Sequence, residues 1–179
     1  MRKAKSGLGI ALAAAFCLTL LGSPAYGAEK YYLKMEGTKQ GPFKGGVARN
    51  GSRWIEIVAF SAGVITPRDA STGQASGKRQ HKPISITKEV DEASPQIFRA
   101  ATTNEVLKDV VIQSVRPGPE GKEQVYQTIT LTNAVISEVK KLSGKNKNEQ
   151  ERFELTFQKI MVTNLQGKTT ATDDWLASK

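Results

Sequence analysis

Gly77-Lys78-Arg79-Gln80-His81-Lys82-Pro83-Ile84-Ser85-Ile86-Thr87-Lys88-Glu89-Val90-Asp91-Glu92-Ala93-Ser94-Pro95 reads as a basic loop end, an alternating strand, an acidic turn and a helix start. Pro83 to Val90 alternates in the manner of a half-buried strand, and Pro83 takes its first position, where no ladder donor is lost. Asp91-Glu92-Ala93 is the connection, and its negative charge suits the positive end of a following helix. Ser94 is the expected N-cap and Pro95 fits the first helical position with its preset φ. Ile97, Phe98 and Ala101 follow at helical spacing, which predicts one short helix from Ser94 to about Asn104 with a narrow apolar face.

Outward from this stretch the chain reads as strands. Tyr31 to Glu36 is a short first strand ended by Gly37, and Gly37 to Gly51 has turn composition without periodicity. Arg53 to Phe60 is rich in β-branched and aromatic residues and predicts a second strand. From Ser61 to Lys82 apolar residues thin out after Ile65, while Gly63, Pro67, Gly73 and Gly77 accumulate. A loop of this length inside a compact fold is unusual and marks the likeliest functional element.

Beyond the helix come Leu107 to Arg116, Gln124 to Leu131 and Ala134 to Lys140, with a turn cluster at Pro117 to Gly121 and a polar loop from Lys141 to Gln150. Phe153, Leu155 and Phe157 share one face of a further strand. Leu165 to Lys168 then turns the chain into an exposed tail ending Asp173-Asp174-Trp175. Many short strands with a single helix predict a mainly β fold, a small antiparallel β-barrel with one short flanking α-helix.

The N-terminus carries an export pattern. Arg2, Lys3 and Lys5 precede an apolar core from Leu8 to Leu21, and Ala25 and Gly27 stand at the −3 and −1 positions of a cut before Ala28. The apolar run is shorter than the roughly 20 residues of a spanning helix, so no stable membrane anchor is expected after cleavage. The expected organisation is a cleavable signal peptide over 1–27, cut between Gly27 and Ala28, and a single barrel domain over 28–179.

Cleavage would remove the only cysteine, Cys17, and with it any disulfide, thiolate nucleophile or cysteine metal site. It would also take three of the 26 basic residues and none of the 17 acidic ones, lowering the net charge from +9 to +6. That balance is ordinary for a solvated surface and weak support for binding anionic polymers.

The residues that could carry chemistry do not assemble into a constellation. His81 is the only histidine and has no thiolate or second imidazole to share a metal with. No nucleophile-elbow or phosphate-loop pattern occurs. Lys78-Arg79-Gln80-His81-Lys82 has only Phe60 as a nearby aromatic, which gives nucleic-acid stacking little support. The sequence thus predicts no enzyme, no cofactor, no metal and no nucleic-acid partner.

A family resemblance runs through most of the chain in order. The stretch from Gly77 to Pro83 resembles the Gly-Lys-Arg/x-x-His-x-Pro segment of the Hcp (haemolysin-coregulated protein) family, the tube proteins of type VI secretion. Lys88, Asp91, Ser94 and Pro95 match its K-x-x-D-x-x-S-P pattern, Tyr126 to Ala134 its Tyr-x-x-x-x-Leu-x-Asn strand, and Phe157 to Ile160 its Tyr/Phe-x-Lys-Ile strand. The start at Tyr31 to Met35 and the end at Asp174-Trp175 are similar too.

The resemblance implies a β-barrel that assembles with itself as hexameric rings stacked into a hollow tube, with spike or effector proteins of a secretion machine as further partners. It also implies that the long loop contacts the neighbouring ring, which makes Arg68, Asp69, Lys78, Arg79, His81 and Lys82 candidate assembly contacts. Such stacking is heterologous, one surface meeting a different one, and propagates without closing. The export pattern departs from the family, whose tube proteins are assembled in the cytoplasm without a cleavable leader. The expected function is therefore an exported, non-enzymatic, self-assembling tube or ring protein. The alternative is a monomeric periplasmic or extracellular binding or adaptor module that has kept the barrel and lost ring stacking.

Overall fold

A computed structural model describes residues 29–118, 122–143 and 148–177. The expected signal peptide and its cut between Gly27 and Ala28 lie outside them. So do the tips of two expected loops, at 119–121 and 144–147.

The architecture is mainly β with one helix, as the alternation and turn signals predict. The strands are β1 (Lys30–Gly37), β2 (Gly41–Pro42), β3 (Val47–Arg49), β4 (Ser52–Ile57), β5 (Ala59–Ser61), β6 (Val64–Ile65), β7 (Gln80–His81) and β8 (Ile84–Glu89). The helix α1 (Ser94–Thr102) follows, then β9 (Leu107–Pro117), β10 (Glu123–Leu142), β11 (Gln150–Thr156), β12 (Lys159–Asn164) and β13 (Thr169–Asp174).

The main sheet runs β3-β4-β1-β9-β10-β11-β8-β5, with β12 and β13 continuing from β10, and every pairing is antiparallel. Its end strands do not pair with each other, so the sheet is not closed by a ladder. The chain itself joins the two ends instead. β4 pairs with β1 and β5 with β8, yet only Val58 separates them, and its N–H donates to Thr87 O at 2.8 Å. What reads as one strand from Arg53 to Phe60 is therefore two, bent where the barrel wall turns.

β10 shows the same device at greater length. Two strands are expected around Thr132-Asn133, but one strand of 20 residues runs through. Asn133 takes a left-handed φ of 51°, while the β9 pairs on either side of it, Thr132↔Asp109 and Ala134↔Leu107, keep one register. β10 pairs with β12 up to Thr132 and with β9 up to Ala134, and from Val135 onward it pairs with β11. Its register shifts lie to either side, between Val125 and Gln127 against β9 and between Ile136 and Glu138 against β11, and such bulges bend a strand so that it can serve two walls.

Alternating inward residues fill the barrel: Leu33 and Met35 from β1, Ile84 and Ile86 from β8, Ile112 from β9, Leu131 from β10, Phe153 and Leu155 from β11, all at most 1% exposed. The helix closes against this core with Ile97 and Ala100, both fully buried, while Phe98 is 59% exposed. Ile97, Ala100 and Ala101 lie on one face, and Phe98 falls about 100° off it. The expected apolar face was thus placed one residue wide of the real one.

The expected exposed tail is also corrected. Thr169–Asp174 is strand β13, paired with β12 from Asn164↔Thr169 to Lys159↔Asp174. Gly37, at the end of β1, lies under Glu105, whose Oε1 accepts from the N–H groups of Lys39 (2.6 Å) and Gln40 (2.7 Å). A Cβ at Gly37 would come within 2.3 Å of that oxygen, so the close approach requires glycine.

Candidate functional site

The long stretch from Ser61 to Lys82 is an ordered hairpin. It leaves the barrel at the end of β5 and returns at the start of β8. β6 and β7 pair through Val64↔His81 and Ile65↔Gln80, and an Arg68↔Ala75 bridge carries the pairing outward. Lys82 N–H donates to Gly63 O at 2.8 Å and closes the base.

The tip is built around Asp69. Its Oδ1 accepts from the amide (3.0 Å) and hydroxyl (2.6 Å) of Ser71 and from the amide (2.8 Å) and hydroxyl (2.9 Å) of Thr72. The Ser71 hydroxyl contributes most to holding this carboxyl down to about 2, with the Thr72 amide next. Gly73, at a φ of 69°, reverses the chain, and its carbonyl accepts from Arg68 Nη1 at 3.0 Å. Asp69 thus shapes the tip and Arg68 is fixed beside it.

The root is held by the C-terminal strand. Arg79 Nε donates to Asp173 Oδ2, His81 Nε2 lies 2.7 Å from the same oxygen, and Arg79 Nη2 donates to Asp174 O at 2.9 Å. The His81 ring sits edge-on to Phe157 and Trp175, with centroids 5.4 and 5.6 Å away. The Arg79 guanidinium first, and His81 second, hold the Asp173 carboxyl at about 2. Under this clamp lies a groove of about 290 Å³ whose walls include Val64, His81, Phe157, Ile160, Val162 and Asp173.

The six residues singled out from the sequence therefore divide. Arg79 and His81 turn inward onto β13, whose Asp173 the sequence places in an exposed tail. Arg68, Asp69, Lys78 and Lys82 are exposed. Lys78 and Lys82 have no side-chain partner among the described residues.

A second polar group joins Lys88, Asp91 and Ser94, which the sequence marks only as part of the family pattern, to Glu151, which it does not single out. Lys88 is fully buried, and its Nζ reaches Asp91 Oδ1 (2.7 Å), Glu151 Oε1 (2.9 Å), Ser94 Oγ (3.1 Å) and Glu89 O (2.7 Å). Ser94 Oγ donates to Glu151 Oε1 at 2.7 Å and accepts from Asp91 N–H at 3.0 Å, and Lys141 Nζ donates to Glu151 Oε2 at 2.8 Å. Burial pushes the Glu151 carboxyl up, but the hydrogen bonds from Lys141, Lys88 and Ser94 together bring it below its ordinary value.

Ser94 is thus not the helix N-cap. Ala93 holds that position without a side-chain bond, and the Ser94 hydroxyl ties α1 to β8 and β11 instead. Two signals pointed to this cluster. Lys88 continues the inward series Ile84, Ile86, and Glu151 continues Leu155, Phe153, so the two face inward directly opposite each other in the β8–β11 register.

Comparison with known proteins places this geometry in context. The family model described as "Type VI secretion system effector, Hcp" matches residues 32–163. The "Major exported protein" of Pseudomonas aeruginosa PAO1 is 32% identical over 161 residues, spanning 80% of this chain and 94% of that protein. Among solved structures, a protein described as Hcp superposes with a TM-score of 0.76 at 28% identity, covering 83% of this chain and all of its own. An Hcp1 protein from E. coli EAEC 042 gives 0.75 at 30% identity, covering 83% of this chain and 99% of its own. The secreted protein Hcp3 of Pseudomonas aeruginosa gives 0.70 at 29%, covering 84% of this chain and all of its own.

Proposed function

The chain belongs to the Hcp family of type VI secretion, and on that premise we propose that it is an exported, non-enzymatic subunit that self-assembles into rings stacked as a tube. Residues 1–27 act as a cleavable leader in this reading, and 28–179 fold as one barrel that carries the assembly surfaces.

The observation that carries the proposal is the construction of the 61–82 hairpin. Its root is fixed to β13 through Asp173, its tip is fixed by Asp69, and its cations Arg68, Lys78 and Lys82 face solvent. A solvated flap has no need of two anchors. A projecting element that must present charge to a neighbour in a set direction does, because ordering it beforehand lowers the entropy lost on contact. Charge presented this way steers and registers the encounter.

Export rests on the leader pattern and on the similarity to a relative named for its export. Ring size, here six, rests on the family alone.

The test is to change Arg68, Lys78 and Lys82 to Glu together, leaving Arg79 in place because it holds Asp173. The proposal predicts rings that no longer stack, with unchanged circular dichroism. Stacking equal to that of the unaltered protein would refute the hairpin's role.

A further inference from the structure

We infer that the groove under the hairpin root is a binding site for a small amphipathic carboxylate, an unbranched apolar chain whose anionic head meets Lys82. The inference is independent of the assembly reading above.

Two ladders build the groove. Ile160↔Asp173 and Val162↔Ala171 are cross-strand partners in β12 and β13, so these four side chains share one face. The hairpin root supplies the opposite wall through the pair Val64↔His81. Between the walls lie Ile84, which belongs to the barrel core, and Phe157, which packs against it. Val64 is 57% exposed, so the wall it forms leaves an apolar face to water.

The polar side chains sort into a compensated pair and a free cation. Asp173 Oδ2 is taken by Arg79 Nε and His81 Nε2, so its charge is met within the fold. Lys82 has no such partner among the described residues. Its stem runs past Gly63, another wall residue, where a Cβ would stand 3.7 Å from Lys82 Cδ. Apolar walls with one unpaired cation complement a ligand with an apolar body and one negative charge. A peptide fits less well, because its N–H and C=O groups would need partners along the trough. With His81 and Asp173 bonded to each other, only Lys82 and Thr172 offer side-chain partners on these walls.

Volume sets the chain length. The groove holds about 290 Å³, which at roughly 30 Å³ for each water-sized group takes about ten non-hydrogen atoms. Octanoate, with eight carbons and two oxygens, is of that size.

Calorimetric titration of the purified protein with sodium octanoate, kept below the concentration at which it forms micelles, tests the site. Saturable binding is expected. Butanoate, shorter by four methylenes, should bind at least about a hundredfold more weakly, at roughly fourfold for each buried methylene. Lys82→Gln should weaken octanoate by about threefold to fivefold, as one exposed ion pair would, and leave neutral octan-1-ol unchanged. Ala171→Phe, which sets a ring into the groove from the outer strand β13, should abolish binding of both compounds. Ala62→Phe does the same from the hairpin side should the first variant fail to fold. The absence of saturable octanoate binding, or full binding by the filled variants, would overturn the site. Equal octanoate affinity in Lys82→Gln would overturn the carboxylate as the recognised head. Attachment to phosphatidylglycerol vesicles in place of octanoate binding would assign the patch to a lipid surface and overturn the proposal as well.

Discussion

Lys88 has no solvent contact, and its ammonium is satisfied by two carboxylates, a hydroxyl and a carbonyl. A buried ion pair is weak evidence of net stabilisation, but removing one partner leaves the others uncompensated. Lys88→Met should therefore cost about 3–5 kcal/mol in urea denaturation, because Glu151 and Asp91 lose their counter-charge. Arg53→Ala, which breaks an exposed pair with Glu92, should cost no more than about 1 kcal/mol.

The carboxylates also set the acid response. Asp173 at about 2 and Glu151 below its ordinary value are both depressed in the folded protein. Each therefore contributes stability that is complete above the usual carboxylate range, near pH 4, and is lost as pH falls through the folded value. Hydrogen exchange at the hairpin root should accelerate between about pH 4 and 2 beyond its intrinsic rate. Exchange at the hairpin root that stays at its intrinsic rate between about pH 4 and 2 would contradict the Asp173 clamp.

At the scale of elements, the hairpin and the long strand make separate demands. Asp173→Asn removes the charge that gathers Arg79 and His81. Amides from Gly63 to Lys82 should then exchange faster, while those of β9 and β11 keep their protection, because local opening need not involve the core. Uniform loss of protection would mean that β13 holds the barrel rather than the hairpin.

In β10 the left-handed Asn133 marks the turn from one wall to the next. Asn133→Val should lower stability by about 1–2 kcal/mol, since a β-branched residue is strongly disfavoured at positive φ, and Asn133→Gly should be tolerated far better. Urea midpoints of the two variants decide it.

These same elements show how far the sequence could be read. β1, β8, α1, β9 and β11 follow from local alternation and turn chemistry, and their described bounds match to within a few residues. Asn133 was read as a break because Asn favours turns, yet here it bends a strand that tertiary pairing keeps continuous. β13 was read as a free tail because Thr169 to Thr172 have no buried face to announce a strand, and only β12 supplies its pairing. Within the candidate site, the cations of the loop were legible from composition, but their division was not. Which of them turns inward depends on where Asp173 lands, some ninety residues further along the chain, and no local signal carries that distance. Lys88 and Glu151 were legible in the alternation of their strands, and were missed because a charged residue at an inward position reads as a misfit until its partner is known.

For the whole molecule, the anchored basic hairpin projects from one end of the β5–β8 ladder, where β5 ends and β8 begins. A self-complementary two-fold dimer has no use for that polarity, whereas a propagating stack does. Contacts of this charged kind weaken as salt screens them over about 8–10 Å. Stacked assemblies should therefore shorten on going from 0.1 to 1 M salt, while contacts within a ring that bury apolar surface persist.

The most direct test of the central claim is electron microscopy of purified residues 28–179, paired with sedimentation velocity across a concentration series. The account predicts ring-shaped particles that stack into tubes as concentration rises at low salt. A single species with the mass of one chain at every concentration, and fields without rings, would contradict it.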